Sequence, residues 1–309
     1  MSRPRFLVTG ANGFLGTHVL AALQALDIPV WALGRNAPQS VRPEQWLPLE
    51  DPGDAPAMQL ALEKAQPEVI VHLAGAAVGP LPELYRVNAI YGATLLAAAS
   101  KVVPAARVVL AGSAAEYGPV EADALPVTEE TPHRPRDGYG ITKLAQTHHA
   151  LASLERGQNL VVARLFNFVG PHMPGHLALG AFGRQVAAMP PEGGVLRTGD
   201  LSTERDFLSV HAVTQVLLAL AKRQDVTGVL NVCSGVPTRL RSLVDELVRQ
   251  CPFPVEVQED PGRAGVTSVR RHYGSAERLK SHGIEPPAFD LRTVMAELAV
   301  SVRPQRPAP

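Results

Sequence analysis

Short apolar runs alternate along the chain with longer segments in which apolar residues recur at helical spacing. Runs that are apolar at successive positions are typical of strands buried on both faces of a parallel sheet. We interpret as strands residues 6–8, 29–33, 46–49, 68–75, 107–113, 159–168 and 228–233. The helical pattern covers residues 14–26, 57–65, 84–100, 210–223 and 239–250. This order predicts an α/β fold, a doubly wound parallel sheet joined by right-handed crossovers.

The turn after the first predicted strand contains Gly10, Gly13 and Gly16, and a helical pattern follows it at once. Residues without side chains let a pyrophosphate approach the backbone, and the first N–H groups of a helix attract an anion. The spacing is G-x-x-G-x-x-G, which differs from the dinucleotide fingerprint G-x-G-x-x-G. A purely structural turn is the alternative, but the strand–turn–helix context favours a nucleotide cofactor.

The ends of the apolar runs at 29–33 and 68–75 also favour a nucleotide cofactor. Gly34-Arg35-Asn36 follows the second run, where an acid would bind the ribose of NAD and an arginine accommodates the 2′-phosphate of NADP. Arg35 therefore favours NADP(H), with NAD(H) also possible, and a solvated surface arginine is the alternative. The run at 68–75 ends in small residues, which leave room for a cofactor above the sheet edge. His72 within this run is more typical of a hydrogen-bonded core residue than of a catalytic one.

The alternation of strands and helices stops after Gly170, and glycine and proline are frequent from His172 to Arg205. We therefore predict a dinucleotide-binding domain and a second, smaller substrate-binding lobe. The domain comprises residues 1–170, with 206–234 returning to it; the lobe comprises 171–205 and 235–303; residues 304–309 form a flexible, proline-rich tail. The expected site is the cleft above the carboxyl ends of the strands.

Ser113, Tyr139 and Lys143 are the residues that we expect to carry the chemistry. Tyr139 and Lys143 are four residues apart, which places them on one face of a helix. A phenol has an ordinary pKa of about 10, and a neighbouring ammonium or an oxidised nicotinamide lowers it. Tyr139 can then exchange a proton with a carbinol or carbonyl. Ser113 can donate to the same oxygen, and Lys143 can bind the nicotinamide ribose.

A larger, ordered set of motifs spans nearly the whole chain. It comprises TGANGFLG at 9–16, HLAG at 72–75, Asn88, Ser113 with EYG at 116–118, YGITK at 139–143, RLFN at 164–167 with Gly170-Pro171, and RDF at 205–207. This set resembles the extended short-chain dehydrogenase/reductases that act on nucleotide sugars. Residues 113–120, PVTEETP at 126–132, and NVCSG at 231–235 with Thr238-Arg239 are similar to the GDP-4-keto-6-deoxy-D-mannose reductases of that family.

The resemblance implies a Rossmann-like sheet, NADP(H) along the N-terminal lobe and a nucleoside-diphosphate sugar in the C-terminal lobe. Ser113, Tyr139 and Lys143 match the family's catalytic residues. Positions that match cofactor contacts are Gly10, Asn12, Gly13, Phe14, Leu15, Gly16, Arg35, Leu49, Leu73, Ala74, Gly75, Asn88, Tyr139, Lys143 and Phe166. Positions that match substrate contacts are Ser113, Glu116, Asn167, Arg205 and Arg263. A homodimer through a four-helix bundle is also implied, formed by the helices that contain Asn88 and Lys143.

Three hypotheses follow. The first is a reductase that transfers hydride from NADPH to the C4 ketone of a nucleotide-linked 4-keto-6-deoxy sugar. Dehydratases of the family carry an acid one or two residues after the catalytic hydroxyl, where this chain has Ala114 and Ala115. The second is a 4-epimerase that retains NAD, against which Arg35 argues. The third is a non-catalytic NADP-binding sensor, against which the intact triad argues.

Composition restricts the class of protein further. The 29 basic and 29 acidic residues balance, so bulk charge gives no reason to expect a nucleic-acid partner. The two cysteines have no metal-ligand spacing and favour a reducing cytoplasm. Apolar runs are too short for a membrane span or a signal peptide.

Overall fold

The computed structural model describes residues 3–260, 262 and 269–302 and contains a seven-stranded parallel sheet. Its strands are β1 (Phe6–Thr9), β2 (Val30–Gly34), β3 (Trp46–Pro48), β4 (Val69–His72), β5 (Arg107–Ser113), β6 (Leu160–Leu165) and β10 (Gly228–Val232). They are ordered β10-β6-β5-β4-β1-β2-β3. The predicted doubly wound α/β class is therefore confirmed.

Helices cover both faces of this sheet, because successive residues of each central strand point to opposite sides. On β1, Phe6 and Val8 pack in one core while Leu7 packs in the other. The helices of the chain are α1 (Phe14–Ala25), α2 (Ala55–Ala65), α3 (Leu81–Leu84), α4 (Tyr91–Val102), α5 (Gly138–Glu155), α6 (Ala178–Ala187), α7 (Val210–Lys222), α8 (Leu240–Arg249), α9 (Glu277–Ser281) and α10 (Leu291–Ser301). Helices α1 and α7 lie on the first face, and α2, α4 and α5 lie on the second.

A smaller lobe lies at the carboxyl ends of the strands. Its strands are β7 (Asn167–Val169), β8 (Gly194–Thr198), β9 (Glu204–Ser209), β11 (Pro237–Arg239), β12 (Val255–Glu259) and β13 (Arg271–His272). Strand β9 pairs with β7, β11 and β13, and β8 pairs with β12. Helices α6, α8 and α10 enclose a separate apolar core that includes Phe182, Leu243 and Met295.

The chain crosses between the two lobes differently from the predicted boundaries. We expected residues 206–234 to return to the dinucleotide-binding domain, but the first of them, 206–209, belong to β9 in the small sheet. The return begins at α7, whose first turn is capped by Ser209 Oγ accepting from the Ala212 N–H at 3.0 Å. Near the C-terminus, Leu279 and Ile284 pack in the core beneath the large sheet.

No helix in the part of the chain that the structure describes is long and apolar enough to cross a membrane. Residues 303–309, which include the predicted tail, lie outside the described residues.

Candidate active site

The glycine-rich turn brings the start of α1 against the end of β4. Gly10 has a φ of +67°, and a Cβ there would lie 2.6 Å from the Ala74 nitrogen. A Cβ on Gly16 would lie 2.1 Å from the Gly10 carbonyl oxygen. Gly13 precedes α1 without any side-chain cap. The N–H groups of the first turn are therefore left for an anion such as a pyrophosphate.

A cavity of about 260 Å³ opens beside this turn. Most of the predicted cofactor positions line it: Gly10, Asn12, Gly13, Arg35, Leu49, Leu73, Ala74 and Gly75. Arg35 is exposed, and Asn12 Nδ2 donates to the Asn36 carbonyl at 2.7 Å. An apolar floor, glycine backbone and a cation at the rim fit an adenine, a diphosphate and a ribose phosphate in turn.

The side chains of Phe14 and Leu15 serve packing rather than the cavity. The Phe14 ring stacks on Phe168 with centroids 5.5 Å apart, at the junction of the two lobes. Leu15 is buried in the core on the α1 side of the sheet. Any cofactor contact at 14–16 would therefore be made by backbone N–H groups.

Ser113 and Tyr139 come together at the carboxyl edge of the sheet. Ser113 is the last residue of β5. Helix α5 begins just before Tyr139 because Asp137 Oδ1 accepts from the Gly140 N–H at 2.8 Å. Gly140 permits close approach, since a Cβ there would lie 2.5 Å from the Ala115 carbonyl oxygen. The Ser113 side chain lies close enough to Tyr139 to lower the pKa of the phenol.

Burial controls the charge of the two titratable residues on α5. It raises the pKa of Tyr139, and the Ser113 side chain opposes that rise. It lowers the pKa of Lys143 to about 8. We expected the Lys143 ammonium to lower the pKa of Tyr139. Instead its Nζ donates to the Ala111 carbonyl and to Gln146 Oε1, each at 2.5 Å, so the phenol stays protonated near neutral pH.

Glu116 does not reach the cleft, which corrects the substrate contact predicted for it. Its side chain is 0% exposed, and Oε2 lies 2.8 Å from Arg164 Nη2. Oε1 accepts the Ser113 N–H at 2.7 Å. A carboxylate bound on both oxygens by protein groups is a structural element of the site rather than a ligand for sugar.

Phe166 and Asn88 are also placed differently from the prediction. Phe166 is 3% exposed and packs beside Tyr117 and Cys233 in a core below the cleft, away from the cavity. Asn88 is buried; its Oδ1 accepts from the Ala76 N–H at 2.8 Å and its Nδ2 donates to Thr142 Oγ1 at 2.9 Å. Asn88 therefore joins the loop after β4 to the N-terminal part of α5, and both ends of its side-chain amide are bound by protein groups.

The predicted substrate residues in the small lobe are only partly brought together. Asn167 is exposed and donates to the Asp206 carbonyl at 3.0 Å. The Arg205 guanidinium donates to the carbonyls of Glu204 at 2.7 Å and Val269 at 2.8 Å. Arg263 lies outside the described residues. As expected, His72 is a buried core residue, with Nδ1 2.7 Å from Thr9 Oγ1.

Three residues that shape the site were missed by sequence reasoning. Arg86 lines the cofactor cavity from a π-helical segment, Tyr85–Ile90, between α3 and α4. Gln146 holds Lys143 and could have been found from its i+3 position on the same helix. Asp206 accepts from the Ser234 N–H at 2.7 Å and the Gly235 N–H at 3.0 Å, which fixes the loop after β10.

The model of the NAD dependent epimerase/dehydratase family matches residues 6–233. The chain belongs to this family. It is 32% identical over 285 residues to GDP-6-deoxy-D-mannose reductase from Pseudomonas aeruginosa, covering 89% of each chain. It is 31% identical over 305 residues to UDP-glucose 4-epimerase from Azospirillum brasilense, covering 88% of this chain and 86% of the relative.

A solved structure, that of RMD from Pseudomonas aeruginosa complexed with NADPH, matches with a TM-score of 0.81 and 27% identity over 97% of both chains. The chain is thus an NAD(P)-dependent enzyme of the extended short-chain dehydrogenase/reductase type, within the group of nucleotide-sugar reductases, dehydratases and epimerases. This assignment disfavours the non-catalytic sensor.

Proposed function

We propose that the enzyme is a reductase that uses NADPH to reduce the C4 ketone of a GDP-linked 4-keto-6-deoxy-mannose. The observation that carries this proposal is the pairing of Ser113 with a protonated Tyr139 at the sheet edge beside the cofactor cavity. The likeness to GDP-6-deoxy-D-mannose reductase over 89% of both chains supports the substrate class.

NADPH, when bound, would supply the hydride for the ketone carbon. Tyr139 keeps its proton because burial raises its pKa, so it can give that proton to the oxygen on which negative charge develops. Ser113 can hydrogen-bond the same oxygen and orient it. Lys143, with a pKa of about 8, is still an ammonium at neutral pH, and it is the residue that would bind the nicotinamide ribose.

The turn after β5 favours reduction over dehydration. Ala114 and Ala115 offer no carboxylate next to Ser113. The following acid, Glu116, is completely buried and bound to Arg164. The described part of this turn therefore presents no base to the cleft that could remove a proton from the sugar.

The rim of the cavity supports NADP(H) as the preferred cofactor. Arg35 follows β2, and Arg86 of the segment before α4 lines the same cavity. Arg86 Nε donates to Glu83 Oε2 at 2.9 Å, which fixes its orientation. Because Arg86 is also paired with Asp51 at 3.4 Å, the exposed Arg35 is the guanidinium that suits a 2′-phosphate, whereas a ribose hydroxyl needs an acceptor.

The test is the Tyr139→Phe variant, assayed with NADPH and GDP-4-keto-6-deoxy-D-mannose. We expect kcat to fall by about 10²–10⁴-fold, because the proton donor is lost. NADPH affinity, measured by nicotinamide fluorescence, should stay within about twofold, since the phenol oxygen is removed without changing the cavity at Arg35. Unchanged turnover would reject the proposal.

A 4-epimerase is the second candidate, and the 31% identity to UDP-glucose 4-epimerase favours it. An epimerase keeps its cofactor through the reaction. We therefore expect the purified protein to lose nicotinamide on dialysis if it is a reductase. NAD that co-purifies in equal molar amount, together with interconversion of UDP-glucose and UDP-galactose, would favour the epimerase.

We also propose that two copies associate through α4, α5 and the segment before α4. Leu81, Tyr85, Ile90 and Ile141 expose between 38% and 50% of their surface there, and apolar side chains of this size are typical of an interface. Sedimentation velocity should give a dimer for the wild type and a monomer for Ile141→Glu; a monomeric wild type would contradict the proposal.

The cytoplasmic location inferred from the cysteine content also remains a prediction.

A further inference from the structure

The ion pair of Glu116 and Arg164 lies completely buried beneath the catalytic residues. Arg164 Nε and Nη2 lie 2.9 and 2.8 Å from Glu116 Oε2. Taking two charges out of water costs free energy, and an apolar pair of similar volume often gives equal or greater stability. Stability alone therefore does not account for a charged pair at this place.

The Glu116 carboxylate joins the elements that present the catalytic side chains. Its Oε1 accepts the backbone N–H of Ser113 at 2.7 Å, at the end of β5. Its Oε2 accepts from Thr147 Oγ1 at 2.9 Å, on α5 one turn beyond Lys143. Since Arg164 belongs to β6, one carboxylate connects β5, α5 and β6 at the edge where Ser113 and Tyr139 meet.

Gly112, the strand residue before Ser113, leaves space for the Glu116 carboxylate. A Cβ on Gly112 would lie 2.8 Å from Glu116 Oε1 and 2.8 Å from Val162 Cγ1. Any larger residue before Ser113 would displace the carboxylate or the strand. The position of Glu116 therefore depends on a second residue, Gly112, which has no side chain.

The charge of Glu116 also acts on Lys143. Burial lowers the pKa of Lys143, and the negative charge of Glu116 opposes that change. Among the described residues, Tyr139 lies one turn before Lys143 on the same helix, and His72 on β4 is close enough for the Lys143 charge to lower its pKa. Burial lowers the pKa of His72 to about 3, so His72 carries no charge at neutral pH and leaves Glu116 as the charge that favours the ammonium.

We propose that Glu116, held by Arg164, is a positioning residue that fixes Ser113 and, through Thr147, the part of α5 that carries Tyr139 and Lys143. The effect on turnover rests on the proposed function. The effect on the charge of Lys143 does not, and it can be measured without substrate.

The experiment compares wild type with Glu116→Gln, Arg164→Met and the double variant. Each single change leaves one buried partner unmatched and is expected to lower the melting temperature. The double variant removes both charges and should regain most of that loss, which keeps the test informative if a single variant fails to fold. Glu129→Gln is the matched control: its side chain is 4% exposed, and it accepts the Asn231 N–H of β10 at 2.8 Å.

Two readouts separate positioning from stability. The first is kcat and KM for the reduction of GDP-4-keto-6-deoxy-D-mannose with NADPH. We expect the double variant to lose ~10- to 100-fold in kcat with KM within ~threefold, because misplaced groups mainly slow the chemical step. The second is a ¹³C NMR titration of the lysine Cε resonances. The chain has five lysines, so Lys143 can be assigned with Lys143→Arg.

We expect the Lys143 titration to move to lower pH in the double variant and to stay unchanged in Glu129→Gln. A double variant with wild-type kcat and a wild-type Lys143 titration would show that the pair is only structural and would overturn the proposal. If the wild type fails to reduce the keto sugar, the proposed function fails, and the Lys143 titration alone then decides the inference.

Discussion

The cavity beside the glycine-rich turn and the three residues to which we assign catalysis lie at the same edge of the sheet but are built in opposite ways. The cavity depends on missing side chains: Gly10 and Gly16 allow backbone segments to approach closely. The triad depends on buried polar side chains, above all Glu116 and Arg164, which connect three elements. The first region can be damaged by adding one methyl group, whereas the second is sensitive to the removal of a charge.

The largest effect is expected from Gly16→Ala, which tests the role of missing side chains. An alanine in a helix is ordinarily more stable than a glycine by about 1 kcal/mol. Here the new Cβ would lie 2.1 Å from the Gly10 carbonyl oxygen, so we expect a loss of about 3 kcal/mol in the free energy of unfolding. Urea denaturation measures it. Gly34→Ala, where a Cβ meets nothing within 4 Å, is the control, and equal stabilities would contradict the idea.

The next effect concerns His72, which lies between the two regions. Its pKa is lowered by burial from 6.5 to about 3. The stability that it contributes is therefore complete above pH 6.5 and is lost as the pH falls towards 3. Relative to His72→Asn, the wild type should lose about 2 kcal/mol between pH 7 and pH 5, at about 1.4 kcal/mol per pH unit. Denaturation curves at both pH values test this, and parallel losses in the two proteins would reject it.

Arg35→Ser tests the arginine at the rim of the cavity that we assign to the 2′-phosphate of NADP(H). If Arg35 binds the 2′-phosphate, NADPH should bind at least about tenfold more weakly, or about 1.4 kcal/mol, while NADH binding changes little. Fluorescence titrations with both cofactors measure this preference. Arg42→Ser, a change in the same loop but away from the cavity lining, serves as control. A parallel loss for both cofactors would instead indicate a structural role for Arg35.

The smallest effect on stability is expected from Asp137→Ala, which removes the cap of α5. We expect a loss of about 1 kcal/mol, as for other N-caps. Asp54→Ala removes the equivalent cap of α2, where Asp54 Oδ1 accepts from the Ala57 N–H at 2.9 Å, and should cost the same. Only Asp137→Ala should also lower kcat, because Tyr139 lies in the capped turn. Equal turnover in the two variants would contradict a role of the Asp137 cap in positioning Tyr139.

The fold was predictable wherever it depends on local pattern. Buried runs and helical spacing identified the sheet and its covering helices, because both faces of each central strand are apolar. The pairing of β9 with β7, β11 and β13 could not be predicted, since it joins segments far apart in sequence. The same holds for Leu279, whose burial under the large sheet depends on a return of the chain.

The site shows the same limit at the level of single residues. Gly10 and Arg35 directly follow a strand and Ser113 ends one, so the sheet edge determines their surroundings and the sequence alone could place them. The contacts predicted for Glu116 and Phe166 were wrong. The turn after β5 directs the Glu116 side chain below the sheet edge, and the residue after β6, Phe166, also points below the edge instead of above it. A motif match determines the order of these residues along the chain, but it does not determine on which side of the sheet edge each side chain lies.

The return of the chain at α9 affects how this enzyme can be recombined with its relatives. Leu279 and Ile284 belong to the core of the first lobe, and the His282 carbonyl accepts from Arg223 Nη1 at 2.7 Å. A chimera that exchanges everything after residue 235 would therefore remove part of the core of the first lobe together with most of the small lobe. Donor sequence should replace only the segments before and after α9, so that the recipient keeps its own residues 275–284.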